Sequence, residues 1–164
     1  MSKGSLTFFC GKMGAGKTTK SREISQARNA VLLSEDEWLS SLYPNSIKTL
    51  ADYMEYSGRL RPQMKKLAQS ILASGTNVVM DFPANTIQQR EWFRCIFSEI
   101  QAPHELVYID QTNEVCLAQI GKRRIEQPER AATDTDEMFE LVTKYFVAPT
   151  SDEGFNTVVI TENS

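Results

Sequence analysis

The sequence predicts an α/β fold, a parallel sheet of five strands with helices on both faces. Three observations predict it. Short apolar runs alternate with longer stretches of helical period; most of the short runs are apolar at every position; and no linker, repeat or low-complexity segment breaks the alternation. A strand covered on both faces must be apolar throughout, as the strands of a parallel sheet between two helix layers are. Strand, helix, strand, helix in series brings each strand back in the same direction. With 164 residues, 41% hydrophobic and 24% charged, the chain suits one domain over residues 1–164 whose core needs no disulfide or metal.

The expected strands cover residues 6–10, 30–33, 77–80, 105–109 and 156–160. The first helix, residues 19–28, contains neither glycine nor proline. A second carries Leu60, Met64, Leu67, Ile71 and Leu72 on one stripe, with Arg61, Lys65, Lys66 and Gln69 off it and Gly75 as its stop. Thr86 opens the next with Gln89 three residues on, a capping-box pattern, and Trp92, Phe93, Ile96, Phe97 and Ile100 form its apolar face. A further helix starts near Thr112. Met138, Leu141, Val142, Tyr145 and Phe146 then fall at helical spacing before Pro149.

Eighteen basic and twenty-one acidic side chains give a net charge of −3, which argues against a protein that coats nucleic acid through bulk charge. No apolar run approaches a membrane span, and the first residues lack a secretory apolar region. Cys10, Cys95 and Cys116 are odd in number and sit among apolar residues, so they read as buried reduced thiols in a cytoplasmic protein. His104, the one histidine, reads as structural, and no His/Cys spacing supports a metal cluster.

Directly after the first strand stands Gly11-Lys12-Met13-Gly14-Ala15-Gly16-Lys17-Thr18, followed by Thr19 and a helix. This is the G-x-x-x-x-G-K-[ST] P-loop in the strand–loop–helix context it requires. Its glycines let the chain wrap closely, so that backbone N–H groups from Gly11 to Thr19 face phosphate oxygens, and the helix N-terminus adds partial positive charge. Lys17 is expected on the β/γ-phosphates and Thr18 on Mg²⁺. No Asn-Lys-x-Asp signal points to a GTPase, no Leu-Ser-Gly-Gly sequence to a transporter ATPase, and the chain is too short for the lid domain of an AAA+ machine. A small kinase remains.

Two carboxylates follow strands. Asp81, after Val78-Val79-Met80, reads as a Walker-B residue that helps hold the magnesium, and Asp36, in Ser34-Glu35-Asp36-Glu37, reads as the base for an attacking hydroxyl. Glu35 and Glu37 read as an acidic helix start. The run Gly121-Lys122-Arg123-Arg124 and the polar stretch after it, residues 125–135, form an expected lid at about residues 119–135, with Arg123 or Arg124 stabilising the transferring group. Arg59, Arg61, Lys65 and Lys66 make a second basic group, either a solvated helix face or the flank of an anionic acceptor. Tyr43, Tyr53 and Tyr56 lie where acceptors enter such folds.

The P-loop with its Gly16-Lys17-Thr18, the segment Leu33-Ser34-Glu35-Asp36-Glu37-Trp38, the strand into Asp81 with Asn85 after it, and the late basic lid resemble the small P-loop kinase-like ATP-binding proteins. That group includes the kinase domain of phage-type polynucleotide kinase, zeta toxins and chloramphenicol phosphotransferase. The resemblance implies a kinase-type three-layer sandwich with strand order 2-3-1-4-5, Asp36 as catalytic aspartate, and Asp152-Glu153-Gly154-Phe155 as a loop bordering the adenine. Where polynucleotide kinases hold the acceptor phosphate with arginine this chain has Leu39, and where the lid has the first of two arginines it has Gln119.

The expected activity is transfer of the γ-phosphoryl group of ATP·Mg²⁺ to a hydroxyl of a small molecule, with Lys17, Asp36 and Arg123 or Arg124 as the catalytic residues. A 5′-hydroxyl nucleic-acid end as acceptor, and an ATP-hydrolysing switch acting on a protein partner, are the alternatives. No obligate protein partner and no membrane are expected.

Overall fold

The computed structural model describes residues 2–161. Its sheet has five parallel strands in the order β2-β3-β1-β4-β5. In chain order these are β1 (Leu6–Cys10), α1 (Lys17–Ala27), β2 (Val31–Ser34), α2 (Glu35–Leu42), α3 (Leu50–Ala73), β3 (Val78–Pro83), α4 (Ile87–Ser98), β4 (His104–Ile109), α5 (Asn113–Glu126), α6 (Asp136–Thr143) and β5 (Thr157–Ile160). Single 3-10 turns at Pro128–Arg130 and Ser151–Glu153 lie on either side of α6.

Successive side chains of a strand point to opposite faces, so the continuous apolar strands feed two cores. Leu6, Phe8, Cys10, Val78, Met80 and Leu106 pack with Leu39 of α2, Leu60, Met64, Ala68 and Leu72 of α3, and Phe93, Ile96 and Phe97 of α4. Phe9, Val79, Val107 and Ile109 pack with Ile24 of α1, Cys116 and Ile120 of α5, and Phe139 of α6. The three layers follow directly from that alternation.

Local chemistry sets most boundaries. Ser34, Thr49, Thr86, Thr112 and Thr135 each accept a backbone N–H from the first turn of the helix that follows, the usual stabilisation of a helix start. At Thr86 the expected box is half made, because Gln89 Oε1 accepts from Asn85 N instead. β3 runs on past Met80 to Pro83, so Asp81 lies inside the strand. Its ladder to β1 passes from Phe8↔Met80 to Phe9↔Pro83, leaving Asp81 and Phe82 without a β1 partner while Asp81 stays level with Ser34 of β2. An irregularity of this kind re-aims a side chain.

α3 begins at Leu50, well before the apolar stripe, and passes through Pro62. Three expectations need correction. α6 stops at Thr143, so the helical spacing overran the helix: Tyr145 is exposed and Phe146 packs on Tyr108. Cys95 is exposed, unlike buried Cys10 and Cys116, and all three are free thiols. Val158 and Val159 of β5 are exposed because β5 is an edge strand, which the buried-strand reading did not foresee. His104 is structural as expected: its ring stacks on Phe97 at 3.9 Å and its Nε2 accepts from Asn156 N. Among the described residues no helix is long and apolar enough to cross a membrane.

One charge is fully inside. Arg90 of α4 is 0% exposed and meets Glu153 through Nε at 2.8 Å and Nη2 at 3.2 Å, while Nη1 donates to the Ala84 carbonyl. Removing the carboxylate would strand a buried guanidinium. Glu153→Ala is therefore expected to cost about 3 kcal/mol, read as a lower urea midpoint; an unchanged midpoint would show that the pair is not what fixes the segment before β5 to α4.

Candidate functional site

The site forms at the C-terminal ends of β1, β2 and β3, where ligands of open parallel sheets bind. Residues 11–16 join β1 to α1. Gly14 and Gly16 have φ of +82° and +103°, and a Cβ on Gly14 would stand 2.5 Å from the Cys116 carbonyl oxygen, so the loop lies hard against α5. Around Gly16 a Cβ would meet nothing within 4 Å: that side of the loop is open. Gly11 N donates to Asn85 Oδ1 at 2.9 Å, anchoring the loop's start to the segment after β3.

α1 begins on Gly16 with no side-chain cap, unlike the other five α-helices among the described residues. Its first N–H groups are thus left for an anion. Lys17 Nζ donates to the carbonyls of Gly11 and Lys12. Burial pushes its ammonium below the usual lysine value, and the Asp81 carboxylate acts in the opposite direction. Thr18 Oγ1 donates to Asp81 Oδ2 at 3.0 Å. Burial pushes the Asp81 carboxyl up, while Lys17 and Thr18 pull it down. Lys17, Thr18 and Asp81 are therefore one cluster, as the sequence suggested. A hydroxyl and a carboxylate oxygen side by side are donors that suit Mg²⁺, which takes few protein ligands and completes its shell with water and phosphate.

Asp36 stands in the first turn of α2, two residues beyond Ser34, which is level with Asp81. Its Oδ2 accepts from Arg130 Nη1 at 3.0 Å. Glu35 is not a mere surface helix start: it is buried, and accepts from Tyr53 OH at 2.6 Å and Ser57 Oγ at 2.7 Å. Glu37 fits the helix-start reading, its N–H closing the Ser34 cap. Of the tyrosines, Tyr53 serves Glu35, while Tyr43 and Tyr56 pack ring to ring at 4.3 Å.

The expected lid is the segment from α5 to α6, and one buried carboxylate organises it. Asp134 receives Arg123 through Nε at 2.7 Å and Nη2 at 2.8 Å, and Arg130 Nε at 2.8 Å. Arg124 Nη1 donates to the Asp134 carbonyl at 3.1 Å and lies 3.8 Å from Asp136. Arg123 is near enough for its charge to act on Lys17, and Arg130 touches Asp36. Arg124 holds the lid's own backbone. Sequence reasoning missed Arg130 and Asp134. Arg130 lies inside the polar stretch already read as lid, but nothing in spacing marked it above its neighbours.

Beside the loop, Ala15, Gly16 and Thr19 line a cavity of about 220 Å³ with Ile109, Gln111, Val115 and Gln119. Gln119 thus faces a space next to the P-loop. Lys12 turns the other way, donating to Asn113 Oδ1 at 2.8 Å over the Phe146 ring, and Met13 packs on the α1/α5 core. Leu39 is buried in the α2/α3/α4 core, so that position cannot hold an acceptor. In the segment Asp152–Phe155, Glu153 is taken by Arg90, and Phe155 packs on Phe8, Phe97 and His104, toward the start of β4.

A family model described as an AAA domain matches residues 6–149. The chain belongs to that family. Solved structures agree on the fold of this AAA domain. A putative kinase from Chloroflexus aurantiacus superposes with a TM-score of 0.77 at 18% identity, over 98% of this chain and 86% of that one. Kti12 of Chaetomium thermophilum, in complex with ADP-AlF3, gives 0.70 at 15% identity over 96% and 89%. The APS kinase of Mycobacterium tuberculosis, in complex with AMPPNP and APS, gives 0.68 at 16% identity over 100% and 91%. The fold is that of the P-loop kinases. No curated protein matches the sequence.

Burial pushes the Glu35 carboxyl up to about 7 from an ordinary 4.5, against the hydrogen bonds from Tyr53 and Ser57. The folded AAA domain therefore keeps a proton that the unfolded chain releases, and its stability falls as pH rises from about 4.5 to about 7. Glu35→Gln is expected to remove that slope and to melt a few degrees above wild type at pH 8, with little difference at pH 5. Thermal melts at the two pH values check it; parallel wild-type and variant curves would refute a raised Glu35.

Proposed function

We propose that the protein is an ATP-dependent phosphotransferase that moves a γ-phosphoryl group to a hydroxyl of a small-molecule acceptor. The observation that carries the reading is the meeting of three parts at one strand edge: the uncapped P-loop helix, the Thr18–Asp81 pair, and Asp36 under a lid arginine. The P-loop kinase fold supports it too, with a nucleotide complex among the similar structures.

The backbone N–H groups of residues 14–19 hold the phosphates of ATP, and Lys17 exchanges its two carbonyl acceptors for phosphate oxygens, which bind an ammonium more strongly. Thr18 and Asp81 are the residues that hold Mg²⁺, whose charge, when it is bound, offsets that of the phosphates. The cavity beside Thr19 and Gln119 takes the nucleoside. Asp36 accepts the proton of the acceptor hydroxyl as its oxygen bonds to the γ-phosphorus, and the bond to the β–γ bridging oxygen breaks to release ADP. Arg123, held in a fixed fork by Asp134, and Arg130, shared between Asp134 and Asp36, offset the charge that builds on the phosphoryl oxygens. Both are held by Asp134 before the substrate arrives, which reduces the reorganisation left for the reaction itself.

Lys17→Ala is expected to abolish transfer from γ-labelled ATP. Asp36→Asn is expected to keep nucleotide affinity and lose about a hundredfold or more in transfer; wild-type turnover in that variant would remove Asp36 as the base. The lid gives a sharper expectation. Arg123→Gln and Arg130→Gln lose about a hundredfold each, whereas Arg124→Gln stays within a few-fold of wild type. Equal losses at all three positions would contradict the division of roles between them.

A further inference from the structure

The second basic group of the sequence does not behave as a unit. Arg59 is an exposed partner of Glu55 at 2.9 Å, and Lys65 is bonded to Glu99 at 2.8 Å on the outer side of α3. Arg61 turns inward instead. It follows Tyr53 and Ser57 at four-residue spacing, so it continues the face of α3 that holds Glu35, and its charge acts on both Glu35 and Tyr53. Its guanidinium stands 5.6 Å over the Trp92 ring, and Trp92 in turn meets Phe82, the residue after Asp81.

This cation is poorly answered. Among the described residues its Nε is buried without a hydrogen-bond partner. No carboxylate of the described residues forms an ion pair with it within 4.0 Å. The neighbouring Glu35 spends its two oxygens on Tyr53 and Ser57, and burial pushes its carboxyl up to about 7, which lessens the negative charge it offers. Buried donors are nearly always satisfied, and a guanidinium is shaped to take an oxyanion by two parallel hydrogen bonds. Arg61 is half-buried, so its two Nη groups still open outward beside the buried Nε. No side chain of the described residues pairs with them, on the helix face that also holds the residue before Asp36.

We infer that the acceptor carries an oxyanion, a carboxylate or a phosphate, and that Arg61 binds it over Trp92 while the acceptor's hydroxyl faces Asp36. The inference rests on the phosphotransferase reading for the hydroxyl and on Arg61 alone for the anion. It makes Arg61 the residue that separates charged acceptors from neutral polyols. Bulk charge does not draw such a molecule in, since the chain carries a net charge of −3.

Two measurements test it separately from the activity. In the first, a metabolite extract is split by anion exchange into neutral and anionic fractions, and each is offered with γ-labelled ATP to wild type, Asp36→Asn and Arg61→Gln. Label is expected in the anionic fraction only. For the acceptor found there, Arg61→Gln raises KM tenfold or more with kcat little changed, Arg61→Lys recovers part of the loss, and melting temperature stays near wild type. Asp36-dependent labelling of the neutral fraction, or an unchanged KM in Arg61→Gln, overturns the inference and leaves the phosphotransferase reading standing. In the second, Trp38→Phe leaves Trp92 as the one tryptophan, and AMP-PNP fills the P-loop. Gluconate and glycerate, glucose 6-phosphate, and the neutral glucose and glycerol are then titrated against its fluorescence. Saturable change with a carboxylate or a phosphate, lost in Arg61→Gln, supports the anion site even if no extract is labelled, and shows which oxyanion it prefers. Change with the neutral compounds alone, or with none, overturns it.

Discussion

The start of α1 is the one α-helix start among the described residues that no side chain caps. Five other helices close their first turn with a serine or threonine hydroxyl, whereas this one begins on Gly16 at φ +103° and opens its N–H groups into a loop. A left-handed glycine with space around it is what the geometry requires, because any Cβ would strain the backbone at the point where an anion must approach. The surroundings exist to keep that opening in shape. Asn85 ties down Gly11, α5 presses on Gly14, and Lys17 bridges the carbonyls across the loop. Asp81 is freed from its β1 ladder to stand beside Thr18.

The segment from α5 to α6 solves a related problem with the opposite charge. Three arginines gathered in one short segment would repel one another without an anchor. Asp134, almost fully buried, supplies it: its carboxylate orients Arg123 and Arg130, and its carbonyl orients Arg124. Because Arg130 spans from Asp134 to Asp36, the α5–α6 segment and the start of α2 are joined across the site. The position of the lid is thereby linked to the position of the carboxylate at the strand end. Glu35, one residue earlier, faces the other way and ties α2 to α3 through Tyr53 and Ser57. Two adjacent carboxylates thus tie one short helix to two different neighbours, Asp36 to the α5–α6 segment and Glu35 to α3.

Much of the fold was legible because it depends on local periods. Continuous apolar strands, helical stripes and hydroxyl caps announced the three layers, and the P-loop announced the loop and the lysine. Failures came where local signals stop being sufficient. Tyr145 and Phe146 kept a helical spacing beyond the end of α6, since spacing does not record where the backbone turns. Val158 and Val159 looked like core and lie on an edge, since an apolar run does not say whether a further strand lies beside it. Glu35 read as a solvated helix start and is buried.

By itself the sequence determined the class of fold, the phosphate loop, and the carboxylates that stand over it, because each is written in residues adjacent in the chain or repeating at a fixed period. Only the tertiary structure decided which of several like charges matter. Arg130 meets Asp36 across 94 positions of chain, and Arg123 is separated from Arg124 by the direction each leaves its helix. Arg61 is distinguished from Arg59 and Lys65 by having too few acceptors around it. Charge is a property of the residue, but its partners are a property of the packing.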